Sequence, residues 1–240
     1  MAARHKKYIT QDARTQRWQG SGKIVWTGSG GWNAENPSHI EEGDMEFSEV
    51  VLKRRMVRHF TDEPVPPEVV ERVLDLARHA PSAGFTQGQS FVVVTSPEMK
   101  QEIARLCGEE YYVEGGFDPF ISGAPVLVVP CTSEAAYHSR YREPDKIGEG
   151  GTEMEWPVPY WHMDVGCAVM VLLLAVVDEG LSAGFAGAFD LDALRSLLGI
   201  PEEVTPVGVI PIGHRAPDKP SPSLKRGRKA EGEYVHHEKW

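Results

Sequence analysis

Hydrophobic and polar positions change period several times along the 240 residues, and from Met45 onward those changes mark out alternating helices and strands. Phe47, Val50, Val51 and Leu52 give one helix face, which runs into Lys53-Arg54-Arg55-Met56-Val57-Arg58. Pro64-Val65-Pro66-Pro67 stops and restarts the chain. Behind it Val69, Val70, Val73, Leu74 and Ala77 repeat at helical spacing as far as Ala80-Pro81. The β-branched run Ser90 to Thr95 reads as a strand, and Pro97 to about Cys107 as a helix. Ala124 to Pro130 repeats the strand signature. A polar, glycine-rich loop is expected from Ser133 to Pro159, then a long apolar helix from Trp161 to Glu179 closed by Gly180. Asp190 caps a helix from Leu191 to Leu198 that Gly199 ends. Val204 to Gly213 reads as a strand whose prolines place it at an edge or interrupt its ladder.

Residues 1–44 hold no helical or strand period beyond a few positions. Gly20, Gly22, Gly28, Gly30 and Gly31 alternate with Trp18, Trp26 and Trp32. Two units are therefore expected: an extension over 1–44, a mobile tail or a mis-assigned start, and one domain over 45–240. A partner-binding arm is the alternative for the extension, because tryptophan is costly to leave in water.

At 41% hydrophobic and 25% charged the composition is that of an ordinary globular protein. The formal net charge of −10 disfavours nucleic acid and anionic membranes as partners, so any basic cluster needs a local explanation. Cys107, Cys131 and Cys167 form no C-x-x-C pair, which makes a reducing compartment the default. The N-terminus lacks the apolar run of a secretory signal. The longest apolar run, Val165 to Val177, is shorter than the roughly 20 residues that span a bilayer. A cytoplasmic protein with no membrane partner is the expectation.

Two basic clusters stand out, Lys53/Arg54/Arg55/Arg58 and Lys225/Arg226/Arg228/Lys229. Each alone is an ordinary solvated charge run. Brought to one point they would clamp a phosphate, since guanidinium forks match its oxygens. Neither G-x-G-x-x-G nor G-x-x-x-x-G-K-[ST] occurs, which argues against Rossmann and P-loop sites. Two small-residue loops, Ala80 to Gly88 and Ser182 to Asp190, would let backbone N–H groups approach a flat ligand. His162, Asp164 and Cys167 read as capping and interface residues rather than a catalytic set. Adjacent His236 and His237 do not make a metal site, and no G-x-S-x-G elbow is present.

Taken in order, Lys53-Arg54-Arg55-Met56-Val57-Arg58-His59-Phe60, Pro64-Val65-Pro66, Ala80-Pro81-Ser82-Ala83-Gly84-Phe85-Thr86-Gln87, Gly184 to Asp190 and Arg226-Gly227-Arg228 resemble the FMN-dependent nitroreductase family over about residues 46–240. The resemblance implies an α+β homodimer with a mixed central sheet flanked by helices, a long interface helix, extended termini that wrap the partner, and FMN at the dimer interface. By position, Arg54, Arg55 and Arg58 would bind the flavin phosphate and ribityl chain together with Arg226 and Arg228. Met56 stands where the family usually has serine, leaving only a backbone contact. Pro81, Ser82 and Ala83, with Gln87, would pack against the isoalloxazine from the neighbouring subunit. Ala186 and Gly187 would offer a backbone N–H to flavin N5 or O4. Phe85-Thr86-Gln87-Gly88-Gln89 departs from the family's Asn-x-Gln-Pro-Trp, so a polar contact becomes a ring. The implied activity is hydride transfer from NADPH or NADH through FMN to a nitroaromatic, a quinone or an unsaturated carbonyl compound, with the loop over 133–159 covering the pocket. Alternatives on the same fold are reductive dehalogenation, fragmentation of reduced flavin, deazaflavin chemistry, or flavin or phosphate binding without turnover.

Overall fold

The computed structural model describes residues 24–27, 31–34, 45–148 and 150–240, and the chain divides into two compact units at Asp44 and Met45. In the first unit, strands β1 (Ile24–Thr27) and β2 (Gly31–Ala34) pair antiparallel with Trp26 opposite Trp32. The sequence showed no strand period here because strands of four residues are too short to reveal alternation. The expectations for the rest of 1–44 lie outside the described residues.

The second unit begins with α1 (Phe47–Lys53) and α2 (Pro67–Ala77), the latter started by Pro67 at its first turn. Then come β3 (Gln89–Val94), α3 (Pro97–Leu106), α4 (Glu109–Glu114), β4 (Val126–Thr132), α5 (Glu134–Tyr141) and α6 (Tyr160–Asp178). β5 (Ser182–Ala183), α7 (Leu191–Leu197), β6 (Thr205–Pro206), β7 (Ile210–Gly213) and α8 (Glu231–Tyr234) complete it. The sheet order is β3-β4-β7-β5 with β6 beside β4, and every strand pair is antiparallel. Its parallel component is the bridge from Met56 to Ala183. Through that bridge the extended segment after α1 joins the edge beyond β5.

Every residue of β4 is buried, because helices cover both faces. Val126 and Val128 point into a core with Val73, Ala77, Leu172 and Val176 from α2 and α6. Leu127 and Val129 point the other way, against Ile103 of α3 and Leu194 of α7. A strand buried on both sides reads as a continuous apolar run, which is how Ala124 to Pro130 was legible.

Two local expectations are corrected, and a third is met by one of its two alternatives. The helix face starting at Phe47 ends at Lys53, and Arg54 to Arg58 is extended. The expected loop over 133–159 contains α5, capped by the Ser133 hydroxyl, which accepts from the Ala136 N–H. α5 buries one residue, Tyr137, so it left no apolar stripe to detect. The strand over 204–213 is interrupted as its prolines require, yet β7 lies inside the sheet between β4 and β5 rather than at an edge. α6 is long and apolar enough by length and composition to cross a membrane. In this fold its Val165, Ala168, Leu172 and Val176 side is core.

Candidate functional site

The basic run is divided by the backbone that carries it. In an extended segment successive side chains point to opposite sides, so Arg54, Met56 and Arg58 share one side and Arg55 and Val57 the other. Arg54 is half-buried, and its Nη1 is enclosed with no hydrogen-bond partner among the described residues. A guanidinium nitrogen withdrawn from water and left unpaired is costly, and an anion would remove that cost. Arg58 donates its backbone N–H to Asp218 Oδ2 at 2.9 Å, and its guanidinium lies 5.6 Å from the centre of the Phe117 ring. Lys219 lies over the same ring at 5.4 Å. These contacts fix the root of the C-terminal tail beside Arg58.

Arg55 turns away from that group. Its guanidinium donates to the carbonyls of Leu52 and Arg54, capping the C-terminus of α1. With Lys53, Arg215, Ser182, Leu181 and Met45 it lines a separate cleft of about 330 Å³. Arg55 thus lies on the opposite side of the extended segment from Arg54 and Arg58. The placement of Arg215 had no signal in the sequence, because a bridge between Phe60 and Arg215, 155 residues apart, brings it there.

The loop after α2 is built for rigidity. Gly84, Phe85 and Gln87 all adopt positive φ, at 62°, 56° and 54°. Two of the three are not glycine, and such backbone persists only where surrounding contacts over-determine it. Those contacts are present. Ser82 Oγ accepts from the Gln87 N–H at 2.9 Å, and Thr86 Oγ1 donates to the Ala83 carbonyl at 2.6 Å. Arg140 of α5 donates to the Gly84 carbonyl at 2.9 Å, and the Ser133 N–H donates to that of Gly88. The ring of Tyr141 lies so close to Gly84 that any Cβ there would stand 2.8 Å from it.

Asp164 holds the base of this loop. It is buried on the second turn of α6, and its Oδ2 accepts from the Ala83 N–H at 2.8 Å and from the Tyr137 hydroxyl at 2.7 Å. Burial first, then the neighbouring carboxylate, pushes the Tyr137 phenol up, so it remains a donor. Tyr137 is fully buried and packs edge-on against Trp156 in a cluster that includes Trp161 and Tyr141. These aromatic residues support the loop through the Tyr137 hydroxyl on Asp164 and the Tyr141 ring against Gly84. Asp164 is thus not a helix cap: the N-cap of α6 is Pro159, and the Asp164 carboxylate accepts from the Ala83 N–H and the Tyr137 hydroxyl instead.

Pro81, Ser82 and Ala83 line the front of this loop, and Gln87 is exposed at its end. In the segment from Gly184 to Phe189, Gly184 has no room for a side chain, because a Cβ would stand 2.6 Å from the Val57 carbonyl oxygen. The Ala186 N–H, expected to be available to a ligand, donates to the Val209 carbonyl at 2.9 Å. Gly187 is exposed with open space above it, and its N–H has no partner among the described residues. Arg226 and Arg228 are exposed on the tail, and no hydrogen bond or ion pair among the described residues joins them to Arg54. Burial pushes the Cys107 and Cys131 thiols up to about 12 and about 11, so neither is a thiolate nucleophile. The arrangement offers cations, small residues and a free backbone donor, suited to hold a planar anionic cofactor that carries its own chemistry.

A family model described as the nitroreductase family matches residues 51–214. A protein of Methanothermobacter thermautotrophicus, provisionally named an NADH dehydrogenase/NAD(P)H nitroreductase, is 26% identical over 91% of this chain and all of its own length. An iodotyrosine deiodinase of Haliscomenobacter hydrossis is 27% identical over 81% of this chain and 90% of its own. A crystal structure of oxidised iodotyrosine deiodinase bound to FMN and 3-iodo-L-tyrosine superposes with a TM-score of 0.60 at 23% identity, covering 81% of this chain and all of that one.

Two outcomes are expected from the loop support. Asp164→Ala strands the Ala83 N–H and the Tyr137 hydroxyl and should lower stability by about 1–3 kcal/mol in denaturant unfolding. On the other side of α5, His138 is bonded to Glu153, which raises the imidazole's pKa. Glu153, bonded by Trp156 first and then by His138, is lowered to about 2 and stays ionised. The His138 contribution is complete below the ordinary imidazole value of about 6.5 and is lost as pH rises through the raised folded value. The Tm of the protein should therefore fall more steeply from about pH 6 to pH 9 than that of His138→Phe.

Proposed function

The chain belongs to the nitroreductase family, and on that premise we propose that it is a homodimeric flavin oxidoreductase. It would hold FMN and pass hydride from NADPH or NADH to a small oxidised acceptor. The observation that carries the reading is the buried, unpaired Nη1 of Arg54, a group that a flavin phosphate satisfies. When bound, FMN supplies the redox chemistry.

The chain's own residues bind and orient. Arg54 receives the phosphate, and the tail, rooted beside Arg58, brings Arg226 and Arg228 to the same group. Arg58, on the same side of the extended segment, sets positive charge along the ribityl side. Met56 offers only backbone there, and the bridge to Ala183 is carried by the neighbouring Val57 N–H, which donates to the Ala183 carbonyl at 3.0 Å. Gly187 is the backbone donor toward the flavin ring, replacing Ala186 in that role. Pro81, Ser82, Ala83 and Gln87 contribute from the neighbouring subunit. The dimer reading is supported by an uncovered apolar stripe on α6, Met163, Cys167 and Met170 at i, i+4 and i+7, beside Phe47 and Val51 of α1, which packs on that helix. No side chain is assigned to covalent chemistry.

A second reading on the same cofactor is reductive dehalogenation of an aromatic ring, favoured by the similarity to iodotyrosine deiodinases. Turnover of 3-iodo-L-tyrosine against a nitroaromatic or quinone, under anaerobic conditions, separates the two.

The purified protein should show a flavin absorption spectrum that bleaches on anaerobic addition of NADPH or NADH. Arg54→Ala should weaken FMN binding by about 1.5–3 kcal/mol, read by fluorescence titration of the flavin-free protein. A colourless protein that takes up no added FMN, or an Arg54→Ala variant with undiminished affinity, would contradict the assignment.

A further inference from the structure

Phe85 occupies a position that is unfavourable twice over. Its backbone lies at φ 56°, a region L side chains enter only at a cost, and its ring is 76% exposed. Gly84, immediately before it, meets the same backbone requirement without that cost, while Gln87 shares it. At residue 85 a large apolar ring stands instead. The loop does not need that ring for its own packing. None of its anchors uses the ring: the Phe85 backbone N–H donates to the Ser82 carbonyl, and the others are Asp164 on Ala83, Ser82 on Gln87, Thr86 on Ala83, and Arg140 and Tyr141 on Gly84. They leave Phe85 as the outward tip of a braced support.

We infer that Phe85 is a specificity-determining residue whose braced, outward ring stacks on a planar aromatic acceptor. The inference rests on the flavin reading above, in which the adjoining Pro81 to Ala83 lie against the flavin of the neighbouring subunit, so that residue 85 projects where the acceptor enters. A ring held at fixed orientation loses little freedom on stacking, which is the use of strain and bracing at such a position. The substrate class is then a compact aromatic ring bearing a reducible substituent, rather than an extended aliphatic carbonyl compound.

The test uses two carboxylates of equal charge and similar size, benzoate and cyclohexanecarboxylate, titrated calorimetrically into the purified dimer. The protein should bind benzoate more tightly. In Phe85→Leu the ratio of the two dissociation constants should fall by roughly fivefold, the range of an aromatic pair, and Phe85→Trp should keep it. Phe85→Gly should lose the preference while its Tm stays equal or rises, because glycine relieves the backbone cost. An unchanged ratio in Phe85→Leu, no preference in the parent protein, or a lower Tm with dimer dissociation in Phe85→Gly would each overturn the inference, the last by making Phe85 an interface residue. Failure of the flavin reading shows separately, as absence of FMN from a protein whose ring preference calorimetry still measures.

Discussion

A buried carboxylate has to be satisfied, and the way Asp164 is satisfied organises the site. Its one oxygen accepts from the Ala83 backbone and from the Tyr137 hydroxyl, so it links α6, α5 and the loop after α2. α6 is itself fixed by core packing on α2 and β4. Rigidity is thereby passed from the hydrophobic core to a loop with three residues in left-handed backbone. Without that link the same sequence would have no reason to hold Phe85 and Gln87 in such conformations.

The second organising feature is the separation of cations. In a chain with net charge −10, a run of four basic residues within six positions would repel itself if all four pointed one way. Extended backbone divides them. Arg55 is used to cap α1 and line one cleft, while Arg54 is withdrawn on the other side with one nitrogen unpaired. Free energy held in one enclosed, unpaired guanidinium nitrogen becomes binding free energy when an anion arrives, which is the sense in which the site is preorganised.

Much of this fold was legible in the sequence, for identifiable reasons. β4 announced itself as a doubly buried apolar run, α6 by its length and closing Gly180, and α7 by Asp190, whose carboxylate does accept from the Ala193 N–H. The family was readable from Arg54, Arg55 and Arg58, the loop from Ala80 to Gln87 and the segment from Gly184 to Asp190, taken in order. What escaped were features set by tertiary contact. α5 buries only Tyr137 and so has no period. Asp164 looks like a helix cap until its partners, 81 and 27 residues away, are seen. The Ala186 N–H is consumed by Val209 across the sheet, a pairing no local pattern encodes. The split of Arg55 from Arg54 follows from the helix ending one residue before Arg54, and helix ends are where sequence periodicity is least informative.

The most direct test of the account is a crystal structure of the protein grown with FMN. The account predicts a phosphate oxygen within about 3 Å of Arg54 Nη1, with the Gly187 N–H turned toward the ring and the Asp164, Ala83 and Tyr137 bonds intact. A phosphate seated instead among Lys53, Arg55 and Arg215, with Arg54 still unpaired, would contradict it.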